Sequence, residues 1–154
     1  MGLDMYLSKK TYVKNWKHTA EDKKHTVAIE GDRSKEIKPE RVTYIQEEVG
    51  YWRKANQIHK WFVENIQEGE DDCRSYYVRA SHLENLLENC KIVLDDNSKA
   101  HELLPSDSGF FFGSTDYDEW YFEQLEDTVK IIGGIISEMK ENEAVYEFYY
   151  QSSW

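Results

Sequence analysis

The chain has 154 residues, 40% hydrophobic and 14% aromatic, and its 19 Lys and Arg against 30 Asp and Glu give a net charge of −11. A chain of this length buries about two-thirds of its unfolded surface around one core, so residues 1–154 are read as a single domain that needs no disulfide or metal staple. Counterion release needs clustered cations, so the acidic balance excludes wrapping a phosphate backbone, and direct nucleic-acid binding is not expected.

The charge is uneven. Residues 1–41 hold ten Lys and Arg against seven Asp and Glu, and residues 42–154 hold nine against twenty-three. Such an acidic body is either a solvated face that keeps a small domain soluble or a surface that competes with nucleic acid for a basic partner. No signal-type segment opens the chain and no apolar run approaches a membrane span, so a cytoplasmic protein without membrane contact is expected. Cys73 and Cys90 show neither C-x-x-C nor zinc spacing, which fits two packed thiols in a reducing compartment.

In chain order, "GLDMYLSKKTYV" alternates, with Leu3, Met5 and Leu7 pointing one way and Asp4, Tyr6 and Ser8 the other, as in a half-buried strand. A lysine-rich connection leads to "HTVAIE", whose β-branched residues predict a second strand from His25 to Glu30. Turn chemistry at Gly31, Asp32 and Ser34 precedes "RVTYIQEEV", a third strand expected to form a hairpin with the second.

From Tyr51 the hydrophobic period lengthens to about 3.6. Trp52, Ala55, His59, Phe62, Val63 and Ile66 fall on one arc, predicting a first helix from Tyr51 to Gln67. "SYYV" reads as a short extended segment. Ser81 and Glu84 have the spacing of a capping box before a second helix with Leu83, Leu86, Leu87, Cys90, Val93 and Leu94 on one stripe.

The loop "HELLPSDSGFFFGS" should plug its phenylalanines between sheet and helices. Asp116 as N-cap with Glu119 completing a box opens a third helix. Gly133 and Gly134 inside it each cost about 1 kcal/mol relative to alanine, which predicts close packing there. "AVYEFYYQSSW" alternates as a last strand, expected beside the first. The sum is an α+β fold, a small antiparallel sheet of N-terminal strand, hairpin and C-terminal strand packed on three helices.

Chemistry-bearing residues concentrate in "YWRKANQIHKWF", where His59 sits near the centre of the apolar arc, Asn56 at its edge and Arg53 just outside. A buried polar group left without a partner costs about 1–3 kcal/mol, so His59 and Asn56 either bond within the core or line a pocket with Arg53 and Trp52. Asp4, on the polar side of the first strand, orients His59 if a helix covers that side, and is otherwise an ordinary exposed charge. Tyr117, Asp118, Trp120 and Tyr121, at a helix N-terminus that can receive an anion, are the part of "GFFFGSTDYDEWYFEQ" that capping by Asp116 and Glu119 leaves over. Asp116, Asp118 and Glu119 are explained by capping and the helix dipole at least as well as by magnesium. The histidines are scattered and the common nucleotide, hydrolase and zinc motifs are missing, so no catalytic residue, metal or cofactor is assigned.

The blocks "MGLDMYL", "YWRKANQIHKWF", "YYV", "LLPSDSGFFFGSTDYDEWY" and "EFYYQSSW" together resemble a family of small bacterial and phage or prophage proteins. The likeness covers most of the chain outside the stretch from Lys9 to Arg41. The loop departs from the family's pattern, which often carries Thr-Gln in place of Ser106 and Asp107. The resemblance implies an accessory role, with counter-defence as the candidate, and transfers no catalytic residue. Three functions remain in view. One is binding of a small phosphorylated or nucleotide-like ligand on an aromatic-lined pocket. The others are an acidic interaction protein that inhibits a basic, nucleic-acid-binding host protein, and a small hydrolase using His59 with a carboxylate.

Overall fold

The computed structural model describes residues 2–154. Among them lie four strands, β1 (Asp4–Tyr12), β2 (Tyr44–Arg53), β3 (Tyr76–Val78) and β4 (Glu147–Ser153). The α-helices are α1 (Asn56–Asn65), α2 (Ala80–Asp95), α3 (Ala100–Leu103) and α4 (Glu119–Glu141). The strands form one antiparallel sheet in the order β2-β1-β4-β3, an α+β fold with the C-terminal strand beside the first, as the alternation predicts.

Period two decides which side of the sheet is covered. Leu3, Met5 and Leu7 with Trp52, Val78, Phe148 and Tyr150 are buried on one face, where they join the apolar stripes of α1, α2 and α4 in a single core. On α2 that stripe is Leu83, Leu86, Cys90 and Val93, the predicted set, with Leu87 and Leu94 packed at its margin. Each fully buried Leu or Phe contributes about 1.5–3 kcal/mol relative to exposure, so this pattern outweighs local preferences.

Several expectations yield to that pattern. Residues 25–30 form no strand. Instead, β1 and β2 pair directly, and the long connection between them carries short 3-10 turns at 21–23, 34–36 and 39–41. "HTVAIE" has no strand to pair with, and the Asn15 side chain clips it by donating to the His25 carbonyl at 2.7 Å and accepting from the His25 N–H at 2.8 Å. The first helix starts at Asn56 rather than Tyr51, because Tyr51, Trp52 and Arg53 are held in register against Tyr6, Met5 and Asp4. Trp52 is therefore buried as the inward residue of a strand. Lys54, at φ +54°, makes the bend into the helix.

The N-caps also move. Asp118, not Asp116, caps α4 by accepting from the Tyr121 N–H at 3.1 Å. Helix α2 begins at Ala80, so Ser81 is already helical, and the His82 Nδ1 accepts from the Arg79 N–H at 3.2 Å. Gly133 and Gly134 face open space. The glycine that close packing requires is Gly50 in β2, where an added Cβ would lie 3.0 Å from the Ile131 side chain of α4. Of the three phenylalanines, only Phe112 is buried, whereas Phe110 is 95% exposed. Cys73 and Cys90 are both free thiols.

Candidate ligand cleft and the buried histidine

The predicted site residues divide between two places. Arg53, Trp52 and Trp120 come together with Tyr51, Lys54, Gln124 and Asp127 around a cleft of about 330 Å³, between the end of β2 and the first turns of α4. Asn56 and His59 do not reach it, nor do Tyr117, Asp118 and Tyr121.

The cleft is built by the turn from β2 into α1. The inward Trp52 indole forms its floor and donates Nε1–H to Thr128 Oγ1 of α4 at 2.9 Å. Gln124, which the sequence reading did not single out, lines its wall and is held from behind by buried Gln57, which donates to Gln124 Oε1 at 2.9 Å. Outward-facing Arg53 stands 3.7 Å from the Asp4 carboxylate, which also accepts from the Tyr51 hydroxyl at 2.5 Å and raises that phenol above its ordinary pKa. Lys54 has no ion-pair partner among the described residues. Trp120 leaves 57% of its surface open and Tyr51 42%, so two aromatic faces and two cations border one opening. A volume near 300 Å³ lies at the small end of ligand pockets.

Asn56 is fully employed as a clip for the loop. It donates to the Phe112 carbonyl at 3.1 Å and the Ser114 carbonyl at 2.8 Å, and accepts from the Asp107 N–H at 3.0 Å. Tyr121 is buried, donates to the Leu104 carbonyl at 2.7 Å, and burial raises its phenol. Tyr117 stacks edge-on against Tyr121 at 5.0 Å, and its hydroxyl accepts from the Ser106 N–H at 3.2 Å.

His59 is wholly buried, and its carboxylate partner is Asp71 rather than Asp4, which lies on the opposite face of the sheet. The ring sits between the Tyr150 hydroxyl, 2.7 Å from Nδ1, and Asp71 Oδ2, 3.0 Å from Nε2. A neutral imidazole satisfies both, with Nε2–H donating to Asp71 and Nδ1 accepting from Tyr150. Asp71 Oδ1 also accepts from the Trp154 indole N–H at 3.1 Å, and Phe112 meets the His59 ring edge-on at 5.2 Å. Tyr150 stacks on Phe62 at 3.9 Å, and burial holds its phenol well above the ordinary value. A carboxylate, an imidazole and a hydroxyl in line are the parts of a hydrolase relay. Here the hydroxyl and imidazole are sealed from solvent, so the row joins α1, the acidic loop and β4. Nothing in the spacing of "EGEDD" separates Asp71 from its acidic neighbours, and only the packing selects it.

No family model, curated protein or solved structure matches the chain. Among the described residues, no helix is long and apolar enough to cross a membrane, and no group of His, Cys, Asp or Glu is arranged to hold a metal ion.

Proposed function

We propose that the protein binds a small anionic ligand carrying a flat ring, of the nucleotide class, in the cleft between β2 and α4. The observation that carries this reading is the convergence of Arg53 and Lys54 with the open faces of Trp120 and Tyr51 on one opening. Stacking on an exposed aromatic face contributes about 1–3 kcal/mol per base and tolerates any base, while guanidinium and ammonium groups hold phosphate. Asp127 supplies a carboxylate to orient the ring edge. Binding rather than turnover is the chemistry we propose, a reading supported by the burial of the hydroxyl and imidazole in the Asp71–His59–Tyr150 row. The phage and prophage resemblance supplies the setting we propose, an accessory protein acting in counter-defence by sequestering such a ligand.

The test is calorimetric titration with a panel of nucleoside mono-, di- and triphosphates and cyclic nucleotides, beside thermal melting. A binder raises the melting temperature as its concentration passes the dissociation constant. Binding weakened about tenfold or more in Arg53→Ala and Trp120→Ala, with melting unchanged, supports the cleft. A panel without any binder rejects it. A second reading is favoured by the charge of residues 42–154, nine cations against twenty-three carboxylates. On that reading the acidic body occupies a basic host protein, and the complex is expected to dissociate as salt rises.

A further inference from the structure

The helices cover one face of the sheet and leave the other bare. Strand register places Tyr6, Tyr12, Tyr44, Tyr51, Tyr77 and Tyr149 on the bare face, six of the chain's eleven tyrosines. They meet in cross-strand pairs, Tyr12 with Tyr44 at 5.2 Å, Tyr6 with Tyr51 at 5.5 Å and Tyr77 with Tyr149 at 5.8 Å. Four of them keep between 38% and 51% of their surface open. Rigid amphipathic rings held by their neighbours lose little rotamer freedom when covered, which is why tyrosine is favoured in protein contacts.

The charges on this face decide what can cover it. They are Asp4, Glu48 and Glu147 against Lys10 and Arg53. Lys10 lies 4.2 Å over the Tyr149 ring and Arg53 stands at the border of the face beside Asp4, so the described residues of this face form no cluster of cations for a phosphate chain. The acidic excess is a single charge, too little to select a basic partner. On a molecule of net charge −11 this surface is close to neutral, with both signs present. A copy of the same chain can therefore approach here, since a two-fold axis sets the patch against itself.

Size agrees. Strands of nine, ten, three and seven residues at about 3.3 Å per residue and about 4.8 Å spacing give a footprint of roughly 460 Å² per copy, or about 920 Å² for two, the size of a weak, concentration-dependent contact. A hollow of about 540 Å³ lined by Tyr6, Ser8, Lys10, Gln46 and Tyr149 gives the face relief in which projecting rings of the other copy can seat.

We infer that two copies of this chain pair through the tyrosine-paved sheet face. The inference is independent of the ligand cleft except at Tyr51 and Arg53, which border both, so its test avoids those residues. The experiment is sedimentation equilibrium of the full chain from micromolar to near-millimolar concentration, at about 0.05 and 0.5 M salt. The expected mass rises toward twice 18.3 kDa. Pairing tightens with salt, because the long-range repulsion of two −11 chains is screened. Tyr44→Lys and Tyr77→Lys, at opposite borders of the face, weaken pairing about tenfold or more. Val145→Lys, 90% exposed and beyond the end of α4, leaves it unchanged. Far-UV circular dichroism melts confirm that each variant is folded. A parent chain that stays monomeric throughout, lysine variants that pair as tightly as the parent, or pairing that weakens with salt overturns the inference.

Discussion

The cleft beside β2 and the histidine beneath the sheet draw on the same twelve-residue segment, yet their side chains meet opposite conditions. Arg53 and Trp120 stand at a surface, Arg53 with a single loose ion pair to Asp4 and Trp120 with an open face. Only a few residues on, Asn56 and His59 have their donors and acceptors taken by protein partners. A side chain whose bonds are already made within the fold contributes stability and has nothing left for a ligand. One whose bonds are open adds little to stability and is free to bind.

That contrast can be tested from its largest expected effect downward. Raising pH challenges the buried side most. Burial pushes the Cys90 thiol from its ordinary value near 9 up to about 12, and raises the Tyr121 and Tyr150 phenols. A folded-state pKa above the unfolded one contributes stability that is complete below the unfolded value and is lost as pH rises toward the folded value. Urea midpoints are therefore expected to hold to about pH 8.5 and fall steeply between about 9 and 12, with Cys90 alone accounting for on the order of 4 kcal/mol. A flat profile over that range contradicts the sealed interior.

His59→Ala comes next. It leaves the Tyr150 hydroxyl and Asp71 without their partner and opens a cavity, a combined cost of about 3–4 kcal/mol in urea unfolding. Phe112→Ala, at the edge of the same ring, should cost about 3 kcal/mol. Phe110→Ala, in the same run of three, should stay within about 0.5 kcal/mol. Equal losses at the two phenylalanines would show that the loop is not seated through Phe112.

On the cleft side, Trp120→Ala should lower nucleotide affinity about tenfold, roughly 1.4 kcal/mol, while stability stays within about 0.5 kcal/mol. The smallest effect within the buried row is Tyr150→Phe, which keeps the stack on Phe62 and removes one hydrogen bond, at about 1 kcal/mol. If this variant instead abolished a biological activity without a matching loss of stability, the row from Asp71 to Tyr150 would be functional rather than structural.

By itself, the sequence determined the elements with an unbroken hydrophobic period. Alternation at Leu3, Met5 and Leu7 oriented β1, and the stripe from Leu83 to Val93 oriented α2, because burial of several large side chains in register outweighs any local choice. It also marked "YWRK" and "DEWY" as unusual. The tertiary structure decided what period cannot encode. Trp52 fits a helical arc and an alternating strand equally well, and only its register against Met5 assigns it to β2. The same register carries Arg53 to the bare face while His59 goes to the core. Asp71 became the histidine's partner and Lys54 joined the cleft through contacts between segments, and contacts of that kind leave no periodic trace in the chain.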